Sequence, residues 1–476
     1  MSDRFEVLKK KTENKCVSVL GFGVSNIPLV RLLLSIGTAR EIRVYDKKAF
    51  GELDSSAIEF EERGVRFFCG EGCFDKIEGD VIFRSPGIRP DLPAIEAAKS
   101  DGAYLTSEIE QLLLLSAAES FAITGSDGKT TTTTLCGKFL ENAGRRVFVG
   151  GNIGTPLLDR CDEMTASDAC VLELSSFQLM RLEKTPKYAA ITNVSPNHLD
   201  WHTDEQEYFE AKKNIVGENT RRLVVNADCE QTAQLGKELA QSGKEVIFFS
   251  SSAHSYADTV KGANTGCAVF CEGDTIYFSD GKHKQALLDK KEIRLPGVHN
   301  LENYMCAMAL CTGFAGPEDF LKTAREFTGV EHRLEPVRVL DGVEYINGSI
   351  DSSPTRTIAA LSALEGRDIV LICGGYDKNL SYEPLAPAIC KKVRVLVLTG
   401  ATADKIERAV LSCKDFCSDR LTLVRAPSFE EAVLIARENA VVGGCVLLSP
   451  ASASFDRFKN FAQRGKYFKE LVCRMK

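Results

Sequence analysis

Residues 122–133, AITGSDGKTTTT, contain glycine, lysine and threonine at the spacing of a short phosphate-binding loop. The preceding SFAIT is typical of a β-strand, and the following TTTTLCGKFLENAG is typical of a helix that ends at Gly144. A strand that leads through glycines into a helix directs backbone N–H groups and the positive helix end at one point, where an anion can bind. Lys129 adds a mobile cation, and Thr130 adds a hydroxyl where a phosphate-bound Mg²⁺ commonly finds a ligand. The stretch predicts a nucleoside triphosphate site, although short Gly-x-x-Gly-Lys strings also occur by chance.

Two further stretches place polar side chains where strands end. The apolar run ACVLE ends in Glu173, which we expect at the carboxyl edge of the sheet, on the side of the phosphate loop. There it is a candidate metal ligand, and the alternative is a solvated strand-end glutamate. The stretch ITNVSPNHLDWH, residues 191–202, holds His198 and His202 four positions apart. Leu199 stands where a zinc protease has its glutamate, so that enzyme class does not fit.

The composition is that of a globular protein with about three domains. The chain has 476 residues, of which 44% are apolar and 26% charged. No stretch approaches the ~18 uninterrupted apolar residues of a membrane span, and the start MSDRFEVLKKKTENK lacks the apolar core of a secretory signal. These features predict a cytoplasmic protein. A net charge of −7 without a basic cluster argues against nucleic acid as a partner.

The 17 cysteines are scattered through apolar runs such as VLICGG and GGCVLLS. Most are expected to be small buried hydrophobic residues. No Cys-x-x-Cys pair occurs, which disfavours a zinc site. Reduced thiols are therefore predicted.

Alternating strand and helix patterns predict an α/β protein of three domains. Residues 1–107 read as strand, helix, strand, with a Gly21-x-Gly23 turn, which is typical of a Rossmann-like domain even though the third glycine of the dinucleotide fingerprint is missing. Residues 108–328 hold the phosphate loop on a mainly parallel sheet, as in P-loop ATPases, and the period-two stretch GCAVFCEGDTIYFSDGKHKQALL predicts an antiparallel ribbon at one edge. Residues 329–476 form a third, Rossmann-like domain with strands at DIVLICGG, VRVLVLTG and GCVLLSP.

An ordered set of motifs resembles the Mur ligase family over almost the whole chain. The set comprises GGNIGTPLL, VLELSSFQL, NHLDWH with Tyr208-x-x-Ala211-Lys212, LPGVHNLEN, EHRLE, GGYDK and LLSPASASFDRFKNFAQRG. Each motif is weak alone, but their order is highly specific. The family's phosphate loop has the same short Gly-x-x-Gly-Lys-Thr form, usually with asparagine where this chain has Asp127.

The resemblance implies an ATP-dependent, ADP-forming ligase that joins an acid to an amino acid. ATP would phosphorylate a substrate carboxylate, the incoming amine would attack the acyl phosphate, and a tetrahedral intermediate would collapse to amide and phosphate. The ending SPASASFDRFKNFAQRG resembles the glutamate-adding members. It therefore implies UDP-N-acetylmuramoyl-L-alanine and D-glutamate as small-molecule substrates in peptidoglycan precursor synthesis. We expect a monomer, with neither nucleic acid nor membrane as a partner.

Matching to the family also implies which residues bind ATP and metal. The ATP-binding residues would be Gly125, Ser126, Asp127, Gly128, Lys129, Thr130, Thr131, Asn300, Asn303 and Arg333. Thr130 and Glu173 would bind one Mg²⁺. His198 and Lys212 would serve a second, with Lys212 carrying a carbamate formed from CO₂, because a carbamate gives a lysine the oxygen ligands that a hard cation prefers. Lys213 is the alternative, but the Tyr-x-x-Ala-Lys spacing favours Lys212.

The resemblance implies the remaining substrate contacts and the catalytic residues as well. The UDP-substrate would meet Ser25, Asn26, Asp46, Lys47, Ser85, Gly87 and Asn152. The incoming glutamate would meet Ser352, Lys378, Ser454 and Phe461. Simpler readings remain, in which Phe461 is a core residue and Lys378 a turn lysine. The catalytic residues would be Lys129, His198, Lys212 and Lys378.

The stretch INGSIDSSPTRT, residues 346–357, departs from the family, which commonly reads Asn-Asp-Ser-Lys-Ala-Thr there. Gly348 replaces the acid and Ile350 the lysine. Losing both charges together is electrostatically consistent, because an acid left alone near ATP would be costly. We hypothesise that Lys378 and Arg356 carry the cationic role instead.

Three alternatives to this function remain open on the sequence. The first is another amino-acid-adding ligase, such as folylpolyglutamate synthase or a Mur ligase that adds alanine or a diamino acid; the glutamate-type ending argues against it. The second is a nucleotide switch or phosphotransferase, which would not need both substrates for ADP release. The third is an oxidoreductase built on the Gly21-x-Gly23 turn, which oxidation of a reduced nicotinamide would reveal.

Overall fold

A computed structural model describes residues 5–195, 201–252, 266–295, 297–364, 366–378 and 380–476. The chain separates into two compact units, Met1–Phe327 and Thr328–Lys476. No helix in these described ranges is long and apolar enough to cross a membrane.

The first unit begins with a five-stranded parallel sheet of order β3-β2-β1-β4-β5. All five residues of the CVSVL strand are buried, as expected for a parallel sheet covered on both faces. The strands are β1 (Cys16–Leu20), β2 (Glu41–Asp46), β3 (Arg66–Cys69), β4 (Val81–Arg84) and β5 (Tyr104–Thr106). The helices are α1 (Glu6–Thr12), α2 (Asn26–Ile36), α3 (Ser56–Glu62), α4 (Pro93–Ser100) and α5 (Glu108–Leu115), with a 3₁₀ turn at Phe50–Glu52.

A second sheet in the same unit has nine strands in the order β14-β13-β12-β11-β10-β9-β6-β8-β7. Its strands are β6 (Glu119–Thr124), β7 (Val147–Gly151), β8 (Ala169–Glu173), β9 (Tyr188–Ile191), β10 (Arg222–Asn226), β11 (Glu245–Ser250), β12 (Cys267–Glu272), β13 (Thr275–Asp280) and β14 (Lys284–Asp289). Pairing is parallel from β7 to β12 and antiparallel from β12 to β14. The predicted antiparallel ribbon at the sheet edge is therefore confirmed.

Six helices accompany the nine-stranded sheet in the described ranges. They are α6 (Lys129–Asn142), α7 (Ser176–Leu179), α8 (Glu205–Lys213), α9 (Glu230–Gln241), α10 (Val298–Cys311) and α11 (Pro317–Glu326), with 3₁₀ turns at Leu158–Glu163 and Lys290–Glu292. One apolar core contains buried side chains from both sheets of the unit, among them Val17 and Phe83 from the first and Ala122 and Leu172 from the second. The two sheets thus share a hydrophobic core.

The second unit has a six-stranded sheet of order β15-β16-β20-β17-β18-β19. Its strands are β15 (Glu335–Leu340), β16 (Val343–Asn347), β17 (Ile369–Cys373), β18 (Val393–Leu398), β19 (Thr422–Arg425) and β20 (Cys445–Leu448); only the β15–β16 pair is antiparallel. The helices are α12 (Pro354–Ala363), α13 (Ala386–Lys392), α14 (Ala403–Leu411), α15 (Phe429–Asn439) and α16 (Phe461–Arg474). Two apolar cores lie in this unit, and neither includes a residue before Thr328.

The three sheets lie in the three segments for which separate domains are predicted. The mixed α/β class with mainly parallel sheets is confirmed. The boundary predicted near residue 107 stays a prediction, because the chain separates into two units, with a division after Phe327.

Candidate functional site

The phosphate-loop sequence forms a tight turn between β6 and α6. Gly125 has φ +150° and Gly128, which precedes the first helical residue, has φ +77°. A Cβ atom on Gly125 would overlap the Thr192 hydroxyl, and one on Gly128 would overlap the Asn303 amide oxygen. Both positions require glycine, because of the backbone angle and because of the close approach.

The loop is fastened by residues that leave β9, which sequence reasoning missed. The Thr192 hydroxyl donates to the Asp127 carbonyl at 2.6 Å. The Asp127 N–H donates to the Asn193 side-chain oxygen at 2.9 Å. Since Asp127 is held through its backbone and its side chain is exposed, the acid at this position leaves these loop contacts intact.

Two lysines converge on the carbonyl groups of the loop. Lys129 Nζ donates to Gly125 O at 2.9 Å and to Ser126 O at 2.8 Å. Lys212, from α8, is 1% exposed, and its Nζ donates to Gly125 O at 2.8 Å. Burial, with the nearby Lys129 charge, lowers the pKa of Lys212 to about 6. A lysine amine in this position is mostly neutral at pH 7.

Glu173 lies at the end of β8, opposite the first turn of α6. The Thr130 hydroxyl donates to Glu173 Oε2 at 2.7 Å, and Asn152 Nδ2 donates to Glu173 Oε1 at 2.8 Å. The Asn152 N–H also donates to the Glu173 carbonyl at 2.8 Å. A hydroxyl and a carboxylate oxygen this close together are donors that suit Mg²⁺, which takes few protein ligands and keeps several waters.

The predicted ATP-binding residues Asn300 and Asn303 lie on the first turns of α10, next to the phosphate loop. Asn303 is buried, and its side-chain oxygen accepts a hydrogen bond from Thr132 Oγ1 at 3.2 Å. Asn300 is also buried, and Asn303 Nδ2 donates to Asn300 Oδ1 at 3.4 Å. Thr131, the remaining loop residue of the prediction, is buried in α6.

His198 lies outside the described residues, so its predicted metal-binding role stays a prediction. The nearby His202 is buried, with Nδ1 3.1 Å from Glu207 Oε2 and Nε2 2.9 Å from Ser176 Oγ. Burial lowers the pKa of His202. Hydrogen bonds from Arg89 hold the pKa of Glu207 at about 2. His202 is therefore fixed by a hydrogen-bonded cluster that joins α7 to α8.

Several predicted UDP-substrate residues gather at the carboxyl end of the first sheet. Asn26 Nδ2 donates to Gly21 O at 2.8 Å and to Ser85 Oγ at 2.9 Å. Asp46 Oδ2 accepts from the Phe22 N–H at 2.7 Å. Asn26 and Asp46 thus stabilise the turn after β1. Of the other predicted contacts, Ser25 and Ser85 are half-buried, whereas Lys47 and Gly87 are exposed.

Arg84 was not predicted, but it joins the end of β4 to α7 and to Met180, the residue that follows α7. It is 4% exposed at the end of β4, and its guanidinium donates to Ile88 O at 2.6 Å, Phe177 O at 3.0 Å and Met180 O at 3.3 Å. The Phe177 and Met180 carbonyls are more than ninety residues away in sequence, so no local pattern indicates these two contacts.

In the second unit, the predicted glutamate contacts Ser352, Lys378 and Ser454 lie on the loops that follow β16, β17 and β20, and Phe461 is the first residue of α16. Lys378 and Phe461 are exposed, Ser352 is half-buried and Ser454 is buried. Lys378 Nζ lies 5.6 Å from the centre of the Phe455 ring. The remaining predictions in this unit, Arg333 and Arg356, are exposed. Arg356 donates to the Ile350 carbonyl at 3.1 Å.

Buried Arg464, in α16, is a second residue that the sequence did not indicate. Its guanidinium donates to Ser349 Oγ at 3.0 Å, Ser349 O at 2.9 Å, Ser452 O at 3.1 Å and Ala453 O at 3.1 Å. Arg464 therefore holds the loop after β16 beside the loop after β20.

Comparisons with known proteins match this architecture. Residues 123–311 match the Mur ligase middle domain. Full-length relatives named UDP-N-acetylmuramoylalanine–D-glutamate ligase are 43% identical in Ruminiclostridium cellulolyticum, covering 100% of both chains, and 44% identical in Acetivibrio thermocellus, covering 99% of each. The relative of the same name in Clostridium novyi is 44% identical over 99% of each chain. The chain therefore belongs to the Mur ligase family.

Solved structures support the fold at lower sequence identity. The UDP-N-acetylmuramate–alanine ligase of Thermotoga maritima is 18% identical with a TM-score of 0.54, covering 97% of this chain and 100% of that one. A UDP-N-acetylmuramoyl-L-alanyl-D-glutamate–2,6-diaminopimelate ligase is 17% identical with a TM-score of 0.52, covering 84% of this chain and 94% of that one.

Proposed function

We propose that this protein is an ATP-dependent ligase that adds D-glutamate to UDP-N-acetylmuramoyl-L-alanine and releases ADP and phosphate, in cytoplasmic peptidoglycan precursor synthesis. The observation that carries the proposal is the identity of 43% over the full length to a relative of that name. The phosphate loop, Glu173 and buried Lys212 support it, because they supply the groups that an ATP-dependent ligation needs.

In the first step, an oxygen of the substrate carboxylate attacks the γ-phosphorus of ATP, and ADP leaves. Both partners are anions, so the reaction needs neutralisation and alignment of charge. The backbone N–H groups at the start of α6 and the Lys129 ammonium provide positive charge at this point. Asn300, Asn303 and Arg333 contact the nucleotide.

Mg²⁺ would be bound by Thr130 and Glu173 and would supply charge stabilisation for the phosphates. Asn152 orients the Glu173 carboxylate through its hydrogen bond. His198 and a carbamate on Lys212, formed from the Lys212 amine and CO₂, would bind a second ion. A neutral amine attacks CO₂, and loss of one proton leaves a carbamate, so the lowered pKa of Lys212 favours this modification.

In the second step, the amine of glutamate attacks the carbonyl carbon of the acyl phosphate. The tetrahedral intermediate collapses, the amide forms and inorganic phosphate leaves. Ser352, Lys378, Ser454 and Phe461 bind the incoming amino acid. The UDP portion is bound by the residues around the Gly21-x-Gly23 turn, and the protein acts as a monomer.

The test is phosphate release by the purified chain with ATP, Mg²⁺ and the two substrates, with the product identified by mass spectrometry. We expect phosphate release to require both UDP-N-acetylmuramoyl-L-alanine and D-glutamate, and the product to be the nucleotide sugar extended by one glutamate. L-glutamate, alanine and diaminopimelate serve as comparison acceptors. ATP hydrolysis that proceeds equally well without an acceptor, or preference for another amino acid, would contradict the proposal.

A further inference from the structure

The loop between β16 and α12, residues 348–353, is held against β20 and α16. Ser349 Oγ donates to the Phe461 carbonyl at 2.8 Å. Asp351 Oδ2 accepts a hydrogen bond from Ser449 Oγ at 2.8 Å. Asp351 therefore lies where the carboxyl ends of β16 and β20 meet.

The carboxylate of Asp351 occupies space that any side chain at position 348 would need. A Cβ atom built on Gly348 would lie 2.7 Å from Asp351 Oδ2 and 2.7 Å from the Leu448 carbonyl oxygen. Both distances are shorter than non-bonded contacts allow. A side chain at position 348 is therefore incompatible with the positions of the Asp351 carboxylate and the Leu448 carbonyl group.

One oxygen of this carboxylate has no hydrogen-bond donor among the described residues. Asp351 is 7% exposed, and Oδ2 is bonded to Ser449. Within the described ranges no donor bonds to Oδ1. This atom is also not one of the side-chain atoms that are fully buried without a hydrogen-bond partner, so part of its surface is exposed. Burial raises the pKa of Asp351 to about 6, while the charges of Arg356, Arg333 and Arg464 oppose the rise. The group is therefore mainly a carboxylate above that pH.

Asp351 also lies between the segments that carry two predicted glutamate contacts. Arg464 bonds to Ser349 O and to Ser452 O, so the segment that leads to Ser352 lies beside the segment that leads to Ser454. The Asp351–Ser449 hydrogen bond joins the same two segments.

The predicted contacts leave one group of the incoming amino acid without a counterpart. Ser352, Ser454 and Lys378 provide hydroxyls and a cation for carboxylates, and Phe461 provides an aromatic ring. None of them carries the negative charge that an ammonium group prefers, and a charged hydrogen bond to an ammonium is stronger than a neutral one. We propose that Asp351 binds the ammonium group of the incoming amino acid, and that Gly348 leaves the space for its carboxylate. This inference rests on the proposed ligase function.

The test is steady-state kinetics of Asp351→Asn, which keeps the acceptor for Ser449 and removes the charge. We expect KM for glutamate to rise at least about tenfold, as for loss of a charged hydrogen bond, and KM for ATP to stay unchanged. Glutarate, which has both carboxylates but no ammonium, should inhibit the native protein and the variant with the same inhibition constant. Asp419→Asn, at an exposed aspartate of the same unit, is the control and should behave as the native protein.

Trapping with hydroxylamine separates this inference from the proposed function. Hydroxylamine in place of glutamate should convert the acyl phosphate to a hydroxamate at equal rates in the native protein and Asp351→Asn.

Ser449→Ala, which removes the orienting hydrogen bond, should give a smaller rise in KM for glutamate with glutarate inhibition unchanged, and it keeps the inference testable if Asp351→Asn does not fold. The inference would be overturned by an unchanged KM for glutamate or by a rise in KM for ATP alone. It would also be overturned if the inhibition constant for glutarate rose as much as KM for glutamate. Failure of the native protein to form hydroxamate would instead contradict the proposed function and, with it, this inference.

Discussion

Glu173 accepts hydrogen bonds from side chains on two different segments, Thr130 in α6 and Asn152 after β7. The family resemblance assigns Asn152 to contact with the UDP-substrate, whereas its side chain donates to Glu173, the candidate metal ligand. Mutation of a group that orients a metal ligand typically costs about 10- to 100-fold in metal affinity or activity. We therefore predict that Asn152 affects Mg²⁺ binding and not only the binding of the UDP-substrate.

Asn152→Ala should raise the Mg²⁺ concentration for half-maximal activity about 10- to 100-fold, because Glu173 loses its orienting donor. Magnesium titration of ADP release measures this. Asn142→Ala, which removes an amide that donates to Thr323 Oγ1 at the far end of α6, is the control and should not shift the titration. A rise in KM for the UDP-substrate with unchanged Mg²⁺ dependence would favour a role in binding the UDP-substrate alone.

Lys212 should carry a carbamate, because its buried amine is neutral near pH 7. After incubation with ¹³C-labelled bicarbonate, the native protein should show a carbamate carbon resonance by NMR. Since the pKa of Lys212 is lowered to about 6, the neutral amine is lost as pH falls through 6, and the resonance should disappear there.

Lys212→Ala should lack this resonance and lose ADP release. Lys213→Ala removes the neighbouring, more exposed lysine and should keep both. If Lys213→Ala loses the resonance and Lys212→Ala retains it, the assignment to Lys212 is wrong.

At the scale of elements, the phosphate site depends on two glycines that let α6 start close to other segments. Their φ angles and the positions of Thr192 and Asn303 leave no space for a side chain.

A buried acid, Glu108, occupies the first position of α5. Its Oε1 accepts from the Leu158 N–H at 3.2 Å, so it joins α5 to the 3₁₀ turn at Leu158–Glu163.

Gly125→Ala should reduce ADP release at least 100-fold, since its methyl group would push the loop away from Thr192. Gly144→Ala is the matched control, because Gly144 also has positive φ, +84°, but no atom lies within 4 Å of an added Cβ. It should cost about 1 kcal/mol of stability through backbone strain and leave activity intact. Equal activity of the two variants would contradict the expected importance of the close approach of Gly125 to Thr192.

Glu108→Gln should make the protein more stable at pH 8 by about 1–3 kcal/mol and should make no difference near pH 4.5. Burial raises the pKa of Glu108 to about 7, above the unfolded value. A raised carboxyl pKa favours folding when the group is protonated, and this stability is lost as pH rises toward and through 7, at about 1.4 kcal/mol per pKa unit. Urea unfolding at the two pH values measures the difference. A stability difference independent of pH would contradict the prediction.

At the scale of the whole molecule, hydrophobic cores follow the two units more closely than the three sheets. The first and second sheets contribute side chains to one core, and a smaller core lies within the first sheet's segment. Arg84, at the end of β4, donates hydrogen bonds to carbonyls in and after α7. The second unit has cores of its own on its six-stranded sheet. Independent stability is therefore expected of the second unit and not of the first sheet alone.

A fragment of residues 328–476 should unfold cooperatively in urea, because its cores are complete within it. A fragment of residues 1–107 should show a weak or non-cooperative transition and bind a hydrophobic dye, because its apolar side chains would lack the partners in the second sheet. Circular dichroism and dye fluorescence measure both. Cooperative unfolding of 1–107 would show that the shared core is dispensable and would support three independent domains.

The sequence by itself determined the features that depend on neighbours in the chain. The phosphate loop, the strand end at Glu173 and the antiparallel ribbon follow from local periodicity and turn residues, and the family follows from the order of short motifs. Local patterns work there because strand, turn and helix propensities act over a few residues.

Only the tertiary structure decided which distant side chains complete these features. Thr192 donates a hydrogen bond to the phosphate loop 65 residues away, and Arg464 bonds to a loop 115 residues away. Asp351 lies beside Gly348 and accepts a hydrogen bond from Ser449, the residue that follows β20. These contacts join segments whose spacing in sequence carries no period. They exist because parallel strands bring their carboxyl ends to one edge of a sheet, and the chain's order does not reveal which residues will meet there.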